Sequence, residues 1–341
     1  ADPDLVELSR IDVEEHIAGT VAESWPVVEV SAVTGQGIDD LVEALGAALA
    51  AAGPPADTGR PRMWIDRAFG IAGAGVVATG TLVDGSLSIG DRLQCFPGPE
   101  VRVRGLQSHE VDRHTINPGS RTAVNLVGAD QRELERGTLL ARPGEMTMTE
   151  RFLAQLSFPP RSSGEVTDRG AYHVHLGTAT FSVRIRTLAS GDAASGLITA
   201  TSPVPVMMGD SFILRDTGRR SVIAGGTVLD PSPTRKPTPT DIATLADAVD
   251  RGPDQRAQAL VTVHGSIDAV AVGRSSGGGS PTGAITVGAQ HLSPEVFECR
   301  GRDLRSAVDE YHGRYPLRPG LPKSEATSRL RVEADLVTAL V

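Results

Sequence analysis

The spacing of apolar residues divides the chain into a helical first part, a long middle part with a period of two, and a helical last part. From Ser9 to Ala22 apolar residues recur about one helical turn apart, and the Ser9 hydroxyl suits a helix cap. Residues 25–32, WPVVEVSA, form a short continuous apolar run that is typical of a buried parallel strand. A second helix is predicted to begin at Asp39 and Asp40, where a helix dipole favours anionic side chains.

Alternation of apolar and polar residues begins at Arg62 and continues over most of the middle of the chain. Runs such as GVVATGTLV, VRVRGLQS and RTAVNLVG are separated by Gly, Pro and Asp turns every 8 to 12 residues or so. This pattern predicts a small antiparallel barrel over residues 57–146 and a second one over residues 147–233.

Helical periodicity returns after the proline-rich linker DPSPTRKPTPT. Two or three short helices with a short β segment predict the start of a winged-helix region over residues 234–341, and RSSGGGSPTGA (residues 274–284) is predicted to be a flexible loop within it. Residues 1–56, with their helix–strand–helix order, are too few for a closed α/β domain and indicate the C-terminal remnant of one.

Composition narrows the class of protein. The 341 residues carry a formal net charge of −9, which argues against a protein that coats nucleic acid and leaves room for a local basic site. The two cysteines, Cys95 and Cys299, are too far apart to indicate a disulfide framework or a metal motif. Because the sequence has neither a long apolar run nor a signal-peptide pattern at its start, it predicts a cytoplasmic protein without a membrane segment.

The glycine-rich stretch around Gly70, Gly73, Gly75 and Gly80 raises the possibility of a phosphate-binding loop. Such a loop follows a buried strand and opens a helix. Here the flanking residues alternate as in a strand, and no helical period follows. A kinked hairpin at a barrel corner is therefore favoured.

Several charged and titratable residues are candidates for chemistry, each with a plain structural alternative. Asp66 and Arg67 could form an ion pair at a strand end or part of an anion pocket, because arginine offers planar, permanently charged donors. His173 and His175 leave one strand face, but zinc needs three or four ligands and none of the right spacing accompanies them, so no metal site is predicted. A further group of strand arginines could either contact phosphates or lie on the solvated face of a half-buried sheet: Arg102, Arg104, Arg184, Arg186 and Arg215.

Four groups of motifs, in order along the chain, resemble the selenocysteine-specific elongation factors (SelB) of the translational GTPase superfamily. IDRAFGIAGAGVVATGTLVDGSLSIGDRL, RVRGLQSH and NPGSRTAVNLVG are similar to the family's second domain. HVHLGTA, GDSFILRD and GGTVLDPSP resemble its third domain, and YHGRYPLRPGLPKSEATSRL resembles the first winged-helix element of its C-terminal region. The resemblance covers roughly residues 25–330, and implies a GTPase-domain remnant, two translation-factor barrels and a winged-helix unit.

In this class of protein, guanine is recognised by an Asn-Lys-x-Asp motif and a Ser-Ala motif. The resemblance therefore assigns Asp2, Ser31 and Ala32 to the guanine site, with the Asn and Lys missing before Ala1. The phosphate-binding loop GxxxxGK[ST], the switch segments and the catalytic histidine do not occur in this sequence. We thus expect an N-terminally truncated chain that does not hydrolyse GTP by itself, while GTP and Mg²⁺ are the cofactors of the intact protein.

A selenocysteine pocket made of Asp66, Arg67 and Arg121 is also implied by the resemblance. A selenol has a lower pKa than a thiol, so the aminoacyl group is an anionic selenolate where serine and cysteine are largely neutral. The resemblance further implies that the loop with Gly73 and Gly75 approaches the 3′ end of the tRNA. His173, His175 and Arg215 are the remaining candidates for tRNA contact.

The function implied by these residues is translation elongation with selenocysteine. The intact protein would bind selenocysteyl-tRNA, deliver it to recoded UGA codons on the ribosome, and read the mRNA hairpin through C-terminal repeats that this chain lacks; a monomer is expected. Two alternatives remain at this point: a fragment of another GTPase similar to elongation factor Tu, and a non-enzymatic fragment that binds tRNA or other RNA.

Overall fold

The computed structural model describes residues 2–71, 75–159, 166–189, 194–218 and 221–341. The chain begins with two helices, α1 (Pro3–Ile17) and α2 (Ile38–Ala52), and neither has a buried residue. α1 begins earlier than Ser9, because the Asp2 side chain accepts a hydrogen bond from the Asp4 amide and Pro3 stands at the first helical position. Ser9 is an interior residue whose hydroxyl donates to the Leu5 carbonyl.

The parallel strand predicted over residues 25–32 does not form. This segment is irregular and largely exposed, and residues 2–61 contain no strand with which it could pair. A strand needs a neighbour to satisfy its backbone groups, so apolar composition alone is not sufficient. The predicted second helix is confirmed, because α2 has Asp39 and Asp40 in its first turn. Gly53 follows its last residue and takes a positive φ of 66°.

The first barrel is a closed ring of six strands. Its ring order is β4–β9–β1–β2–β8–β5, closed by pairing of β5 with β4. The ring strands are β1 (Arg62–Ile71), β2 (Gly75–Val83), β4 (Arg92–Phe96), β5 (Glu100–Ser108), β8 (Arg121–Val127) and β9 (Leu139–Ala141). Three short strands lie outside the ring: β3 (Leu87–Ser88), β6 (Val111–Arg113) and β7 (Thr115–Ile116). The alternation read from the sequence is confirmed, because inward residues such as Ile65, Val124 and Leu126 are fully buried.

The second barrel is also closed and antiparallel, in the order β10–β13–β12–β11–β14–β15. Its strands are β10 (Thr147–Ser157), β11 (Tyr172–Leu176), β12 (Ala179–Ala189), β13 (Ser195–Val206), β14 (Ser211–Asp216) and β15 (Val222–Asp230). Phe152 and Phe212 meet edge to face in its core, with ring centroids 6.0 Å apart.

The two barrels are joined along strand β1. Its Trp64 ring lies over Gly177, in the turn between β11 and β12, and an added Cβ at Gly177 would fall 2.3 Å from the ring. Gly177 also has a positive φ of 55°, so glycine is required there for two reasons. The Thr178 hydroxyl donates to the Ile65 carbonyl over 2.6 Å. The side chain of Arg62, only 11% exposed, forms ion pairs with Asp84 and with Asp210 of the second barrel.

A winged-helix unit follows the second barrel. It consists of α3 (Pro239–Ala248), α4 (Pro253–His264), β16 (Ser266–Asp268), α5 (Ala269–Ser276), β17 (Ile285–Val287) and β18 (Gln290–Leu292). Leu245 and Leu260 share a buried cluster with Leu153 and Leu229 of the second barrel. The unit is thus packed onto the barrel, and the buried His264 Nε2 lies 2.9 Å from Asp230 Oδ2 at the same boundary.

One prediction about this region holds in part and another is wrong. Residues 277–284 form a loop between α5 and β17, but residues 274–276 belong to α5; Gly277 takes the left-handed conformation of a helix end, and Gly279 is packed against the Pro253 backbone. The segment of residues 311–330 lies after the first winged-helix unit, in α6 (Pro294–Arg314) and α7 (Lys323–Leu330). These helices and α8 (Ala334–Leu340) share their own buried cluster around Leu304, Ala326 and Val337, which is why they form a separate unit.

No helix in the described ranges has both the length and the apolar character needed to cross a lipid bilayer.

We expect Arg62→Ala to lower the free energy of unfolding of the barrels by about 3–5 kcal/mol, because it leaves the buried Asp210 carboxylate without its cation. Burial by itself lowers the pKa of Arg62, but Asp210 and Asp84 outweigh it, and the pKa ends above its ordinary value. Urea unfolding followed by circular dichroism measures the change. Arg67→Ala is the matched control on the same strand and should change stability by less than about 0.5 kcal/mol, since Arg67 is exposed. Equal effects of the two substitutions would contradict the assignment.

Burial, followed by the nearby Glu133 charge, raises the pKa of the Cys95 thiol to about 11. At pH 8 only about one Cys95 thiol in a thousand is therefore ionised, and the thiolate is the reactive form. We expect iodoacetamide at pH 8 to modify the exposed Cys299 in the native protein and Cys95 only after unfolding. Mass spectrometry of the two peptides tests this, and equal labelling rates in the native protein would refute it.

Candidate functional site

An acidic residue, a hydroxyl and an arginine are connected across three neighbouring strands of the first barrel. Arg121 at the start of β8 forms an ion pair with Asp66 of β1, with 2.8 Å between Nη1 and Oδ2. The other carboxylate oxygen of Asp66 accepts a hydrogen bond of 2.6 Å from the Thr79 hydroxyl of β2. Both oxygens of Asp66 are therefore engaged, and its carboxylate is held in one orientation.

A β-bulge in β1 places Asp66 beside Arg67. Ile65 pairs with Gly80 and Arg67 pairs with Thr79, so Asp66 is the extra residue with no opposite partner on β2. Regular alternation after the buried Ile65 would turn Arg67 into the barrel. With the bulge, the Asp66 side chain remains partly accessible and Arg67 is exposed.

The two arginines differ in their bonding. Arg121 is bound to Asp66 although 57% of its side chain remains exposed. The Arg67 guanidinium makes no hydrogen bond or ion pair with any residue that the structure describes. Asp66 therefore pairs with Arg121 and not with its neighbour Arg67. The structure thus lacks the Asp66–Arg67 ion pair that the sequence offered as the plain structural alternative. Two cations and one carboxylate leave this group of residues with a net positive charge.

The backbone register places the arginines near each other. Arg67 lies opposite Thr79 and Arg121 lies opposite Thr81, two residues further along β2. Since neighbouring strands are about 4.8 Å apart, the two arginine backbones are separated by roughly 10–12 Å, a distance that their long side chains can close around a small ligand. The participation of Thr79 was missed by sequence reasoning, although its place opposite Arg67 in the predicted hairpin was a signal for it.

The glycine-rich stretch is an antiparallel hairpin, as predicted, because β1 and β2 pair as far as Ile71 and Gly75. Gly75 has a positive φ of 93°, and a Cβ there would lie 2.7 Å from the Leu126 carbonyl oxygen. Glycine is therefore required by the backbone at this position. The Gly70 amide donates to the Gln131 side chain over 3.1 Å, which fixes one side of the hairpin. Gly73 lies outside the described residues.

His173 and His175 lie on β11 with their rings edge to face, 6.3 Å apart. Thr180 binds His175 Nδ1 at 3.1 Å, while the buried His175 Nε2 makes no hydrogen bond with the residues that the structure describes. Burial, followed by the charges of Arg215 and His173, lowers the pKa of His175 and so favours its neutral ring. Across the described ranges, no three His, Cys, Asp or Glu side chains are grouped so that they could hold a metal ion.

Arg215 lies opposite His173 in the neighbouring strand β14, so these three residues occupy one patch of the second barrel. The remaining strand arginines, Arg102, Arg104, Arg184 and Arg186, are exposed on the outer faces of the barrels. This placement agrees with a solvated face and with phosphate contact alike.

The three residues predicted for guanine recognition lie in the first 56 residues. The Asp2 carboxylate caps α1 through one oxygen. The Ser31 amide donates to the Gln36 carbonyl over 2.9 Å, and its hydroxyl accepts from the Thr34 amide over 3.3 Å, which closes a tight turn. The exposed Ala32 amide makes no hydrogen bond within the described part of the chain, so it is available as a donor.

Comparison with known proteins gives two family matches. Residues 153–235 match the family described as "Selenocysteine-specific elongation factor, beta-barrel domain". Residues 305–341 match the family described as "Elongation factor SelB, winged helix". The matches cover most of the second barrel and the C-terminal helices.

Proteins that are similar in sequence or in structure include other selenocysteine-specific elongation factors. The selenocysteine-specific elongation factor of Desulfomicrobium baculatum is 30% identical over 236 residues, which are 67% of this chain and 37% of that protein. The crystal structure of a bacterial selenocysteine-specific elongation factor, EF-Sec, covers 100% of this chain and 57% of its own chain, with a TM-score of 0.78 and 21% identity. The SelB structure of Methanococcus maripaludis with the GTP analogue GppNHp covers 69% of this chain and 57% of its own, with a TM-score of 0.61 and 19% identity.

This chain spans well under half the length of that curated relative. Because their sequence identities are low, the similar structures support the fold alone. The sequence matches in the barrel and winged-helix regions support common descent. Residues 153–235 and 305–341 are therefore domains of the SelB type, the family of selenocysteine-specific elongation factors.

Proposed function

We propose that this chain supplies the aminoacyl pocket and the tRNA-binding barrels of an elongation factor that carries selenocysteyl-tRNA to recoded UGA codons on the ribosome. The observation that carries the proposal is the Asp66–Arg121 ion pair, held by Thr79, with the exposed Arg67 on the same face of the first barrel. The winged-helix match favours this function over that of another Tu-like GTPase. The barrel match favours it over a non-enzymatic fragment that binds tRNA or other RNA.

The charge of the pocket suits a selenolate. Asp66 neutralises one arginine, so the three side chains together present one net positive charge to the ligand. A selenolate carries one negative charge and accepts hydrogen bonds from the planar N–H groups of arginine. The hydroxyl of a seryl group has no charge to offer, so the cation that its binding desolvates is left without a partner.

Asp66 acts by positioning in this proposal. Because one oxygen is bonded to Thr79 and the other to Arg121, the carboxylate fixes the direction of the Arg121 guanidinium. The bulge between Ile65 and Arg67 sets the neighbouring arginine on the same side. The pocket is thus built on paired strands, which hold it more rigidly than a loop would.

GTP is proposed as the cofactor of the intact protein, with Mg²⁺ at its phosphates. When bound, GTP would supply the free energy of hydrolysis. On this chain, the exposed Ala32 amide suits a guanine carbonyl oxygen as acceptor, and Asp2 retains a carboxylate oxygen that can accept from the base edge. No residue of this chain is assigned to the phosphates, to Mg²⁺ or to an mRNA hairpin.

We expect Arg67→Gln and Arg121→Gln each to weaken binding of selenocysteyl-tRNA by roughly 10- to 100-fold, since each removes a charged hydrogen bond, with little effect on seryl-tRNA. Protection of the aminoacyl ester from hydrolysis, measured with the GTP-bound full-length protein, gives both affinities. Arg92→Gln, which changes an exposed strand arginine of the same barrel that has no proposed RNA contact, is the matched control and should leave both affinities unchanged. Equal losses for the two tRNAs would refute the pocket.

Thr79→Val should lower the preference for selenocysteyl-tRNA over seryl-tRNA about tenfold, because it removes the hydroxyl that orients Asp66. The same substitution at Thr81 is the control: it lies two residues along the same strand, and its hydroxyl forms no hydrogen bond within the described ranges. The ratio of the two affinities is the measurement. A Thr81→Val variant as impaired as Thr79→Val would contradict a specific role for the Thr79 hydroxyl.

A further inference from the structure

A cavity of about 550 Å³ lies where the second barrel, the linker that follows it and the winged-helix unit meet. Met146 and Thr147, at the start of β10, line one side of it, and the face of α5 that carries Ala271 and Ser275 lines another. The Thr147 and Ser275 hydroxyls bond to each other over 3.4 Å, which links the two sides. The volume lies within the range of cavities that bind small molecules.

Two opposite charges line this cavity from one face of α5. Asp268 caps the helix and Arg274 lies six residues later, so their backbones are roughly 9 Å apart along the helix axis. The two side chains form no ion pair with each other, and neither forms one with another residue of the described ranges. A cation and an anion therefore border one space without neutralising each other.

Each of these charges is held in place by hydrogen bonds that leave part of the group free. Asp268 Oδ1 accepts from the Val270 and Ala271 amides over 2.9 and 3.0 Å, while Oδ2 has no partner among the described residues. Arg274 Nε donates to the Gly144 carbonyl over 2.6 Å, and its two Nη groups form no hydrogen bond within the described chain. Both groups are thus oriented in advance, which reduces the entropy lost when a ligand binds.

A buried histidine adds a polar group to the cavity wall. The His264 side chain is 5% exposed, and its Nε2 lies 2.9 Å from Asp230 Oδ2. The other Asp230 oxygen accepts from the Ser232 amide over 2.9 Å, so the protein itself engages this carboxylate fully. His264 Nδ1 makes no hydrogen bond in the part of the chain that the structure describes. Because buried polar groups normally have partners, a ligand with a hydrogen-bonding group would complete this wall.

The remaining wall is partly apolar. Met146 is buried, Ile267 and Ala271 are half-buried, and Met148 lies at the exposed edge. Methionine side chains are flexible and adapt to irregular apolar shapes. The cavity therefore combines a cation, an anion and an apolar surface. Partly burying two charges without partners costs free energy, and a ligand that carries both opposite charges recovers it.

We propose that this cavity binds a small zwitterion, a free amino acid with an apolar side chain. Arg274 binds its carboxylate, because arginine N–H groups match the geometry of carboxylate oxygens. Asp268 accepts from its ammonium group, and the side chain packs against Met146 and Ile267. A ligand with a single charge leaves the opposite charge of the wall without a partner. The inference is independent of selenocysteine recognition, since the aminoacyl pocket lies on the first barrel.

The test measures the binding of three related probes to the whole chain by isothermal titration calorimetry. L-methionine carries both charges, N-acetyl-L-methionine carries only the carboxylate, and L-methioninamide carries only the ammonium group. We expect L-methionine to bind roughly tenfold more tightly than either derivative, because each derivative loses one charge-assisted hydrogen bond. Equal binding of all three probes overturns the proposal, and so does a lack of L-methionine binding at millimolar concentration.

Three variants identify the residues that carry the binding. Asp268→Asn keeps a residue that caps helices and removes the charge, so L-methionine should lose its advantage over N-acetyl-L-methionine. Arg274→Gln should instead remove the advantage over L-methioninamide. Ala271→Leu keeps both charges and fills part of the space between them, so it should weaken the binding of all three probes about tenfold or more.

Asp247→Asn and Arg251→Gln are the matched controls. These two residues pair with each other on the surface of the winged-helix unit, their side chains are 62% and 60% exposed, and neither lines the cavity. Each control should leave the three affinities unchanged, and thermal unfolding checks that every variant keeps its fold. L-methionine binding that is unchanged in both Asp268→Asn and Arg274→Gln overturns the proposal. Losses in the controls as large as those in the cavity variants would overturn it as well.

Discussion

The buried contact of Arg62 with Asp84 and Asp210 is the interaction on which the arrangement of the two barrels depends. It joins the first residue of β1 to an acidic residue of each barrel, and all three side chains are largely removed from water. A cation in that position is stable only while both carboxylates are present, so the ion pair favours one docking of the barrels over others. Trp64 over Gly177 and the bond from Thr178 to Ile65 extend the same contact along β1.

The candidate site is a continuation of that strand. The first residues of β1 contact the second barrel, and after the buried Ile65 a bulge turns Asp66 and Arg67 to the outside. Interface and site are therefore adjacent along β1, because Thr178 bonds to the Ile65 carbonyl and Asp66 is the next residue. Any shift of β1 that disturbed the barrel contact would also move Asp66 relative to Thr79 and Arg121, which lie on strands held by the first barrel alone.

Much of the architecture could be predicted from the pattern of residues. The strands of both barrels follow from the period of two, and the interpretation of the glycine stretch as a hairpin follows from the absence of a helical period after it. The failures have a common cause. Residues 25–32 look like a buried strand but have no partner strand in residues 2–61, and the predicted loop loses residues 274–276 to α5 and packs against Pro253 at Gly279. In both cases the outcome depends on a neighbour that local composition does not reveal.

The sequence by itself determined which side chains are available and where strands with a period of two occur, because alternation is a local property of an extended backbone. The resemblance of its motifs to the SelB family placed Asp66, Arg67 and Arg121 among the candidates for one pocket. Only the tertiary structure decided that Asp66 binds Arg121 and Thr79 rather than Arg67, since this follows from the order β1–β2–β8 and from the bulge. Strand order and register arise from the packing of residues far apart in the chain, and no local pattern specifies them.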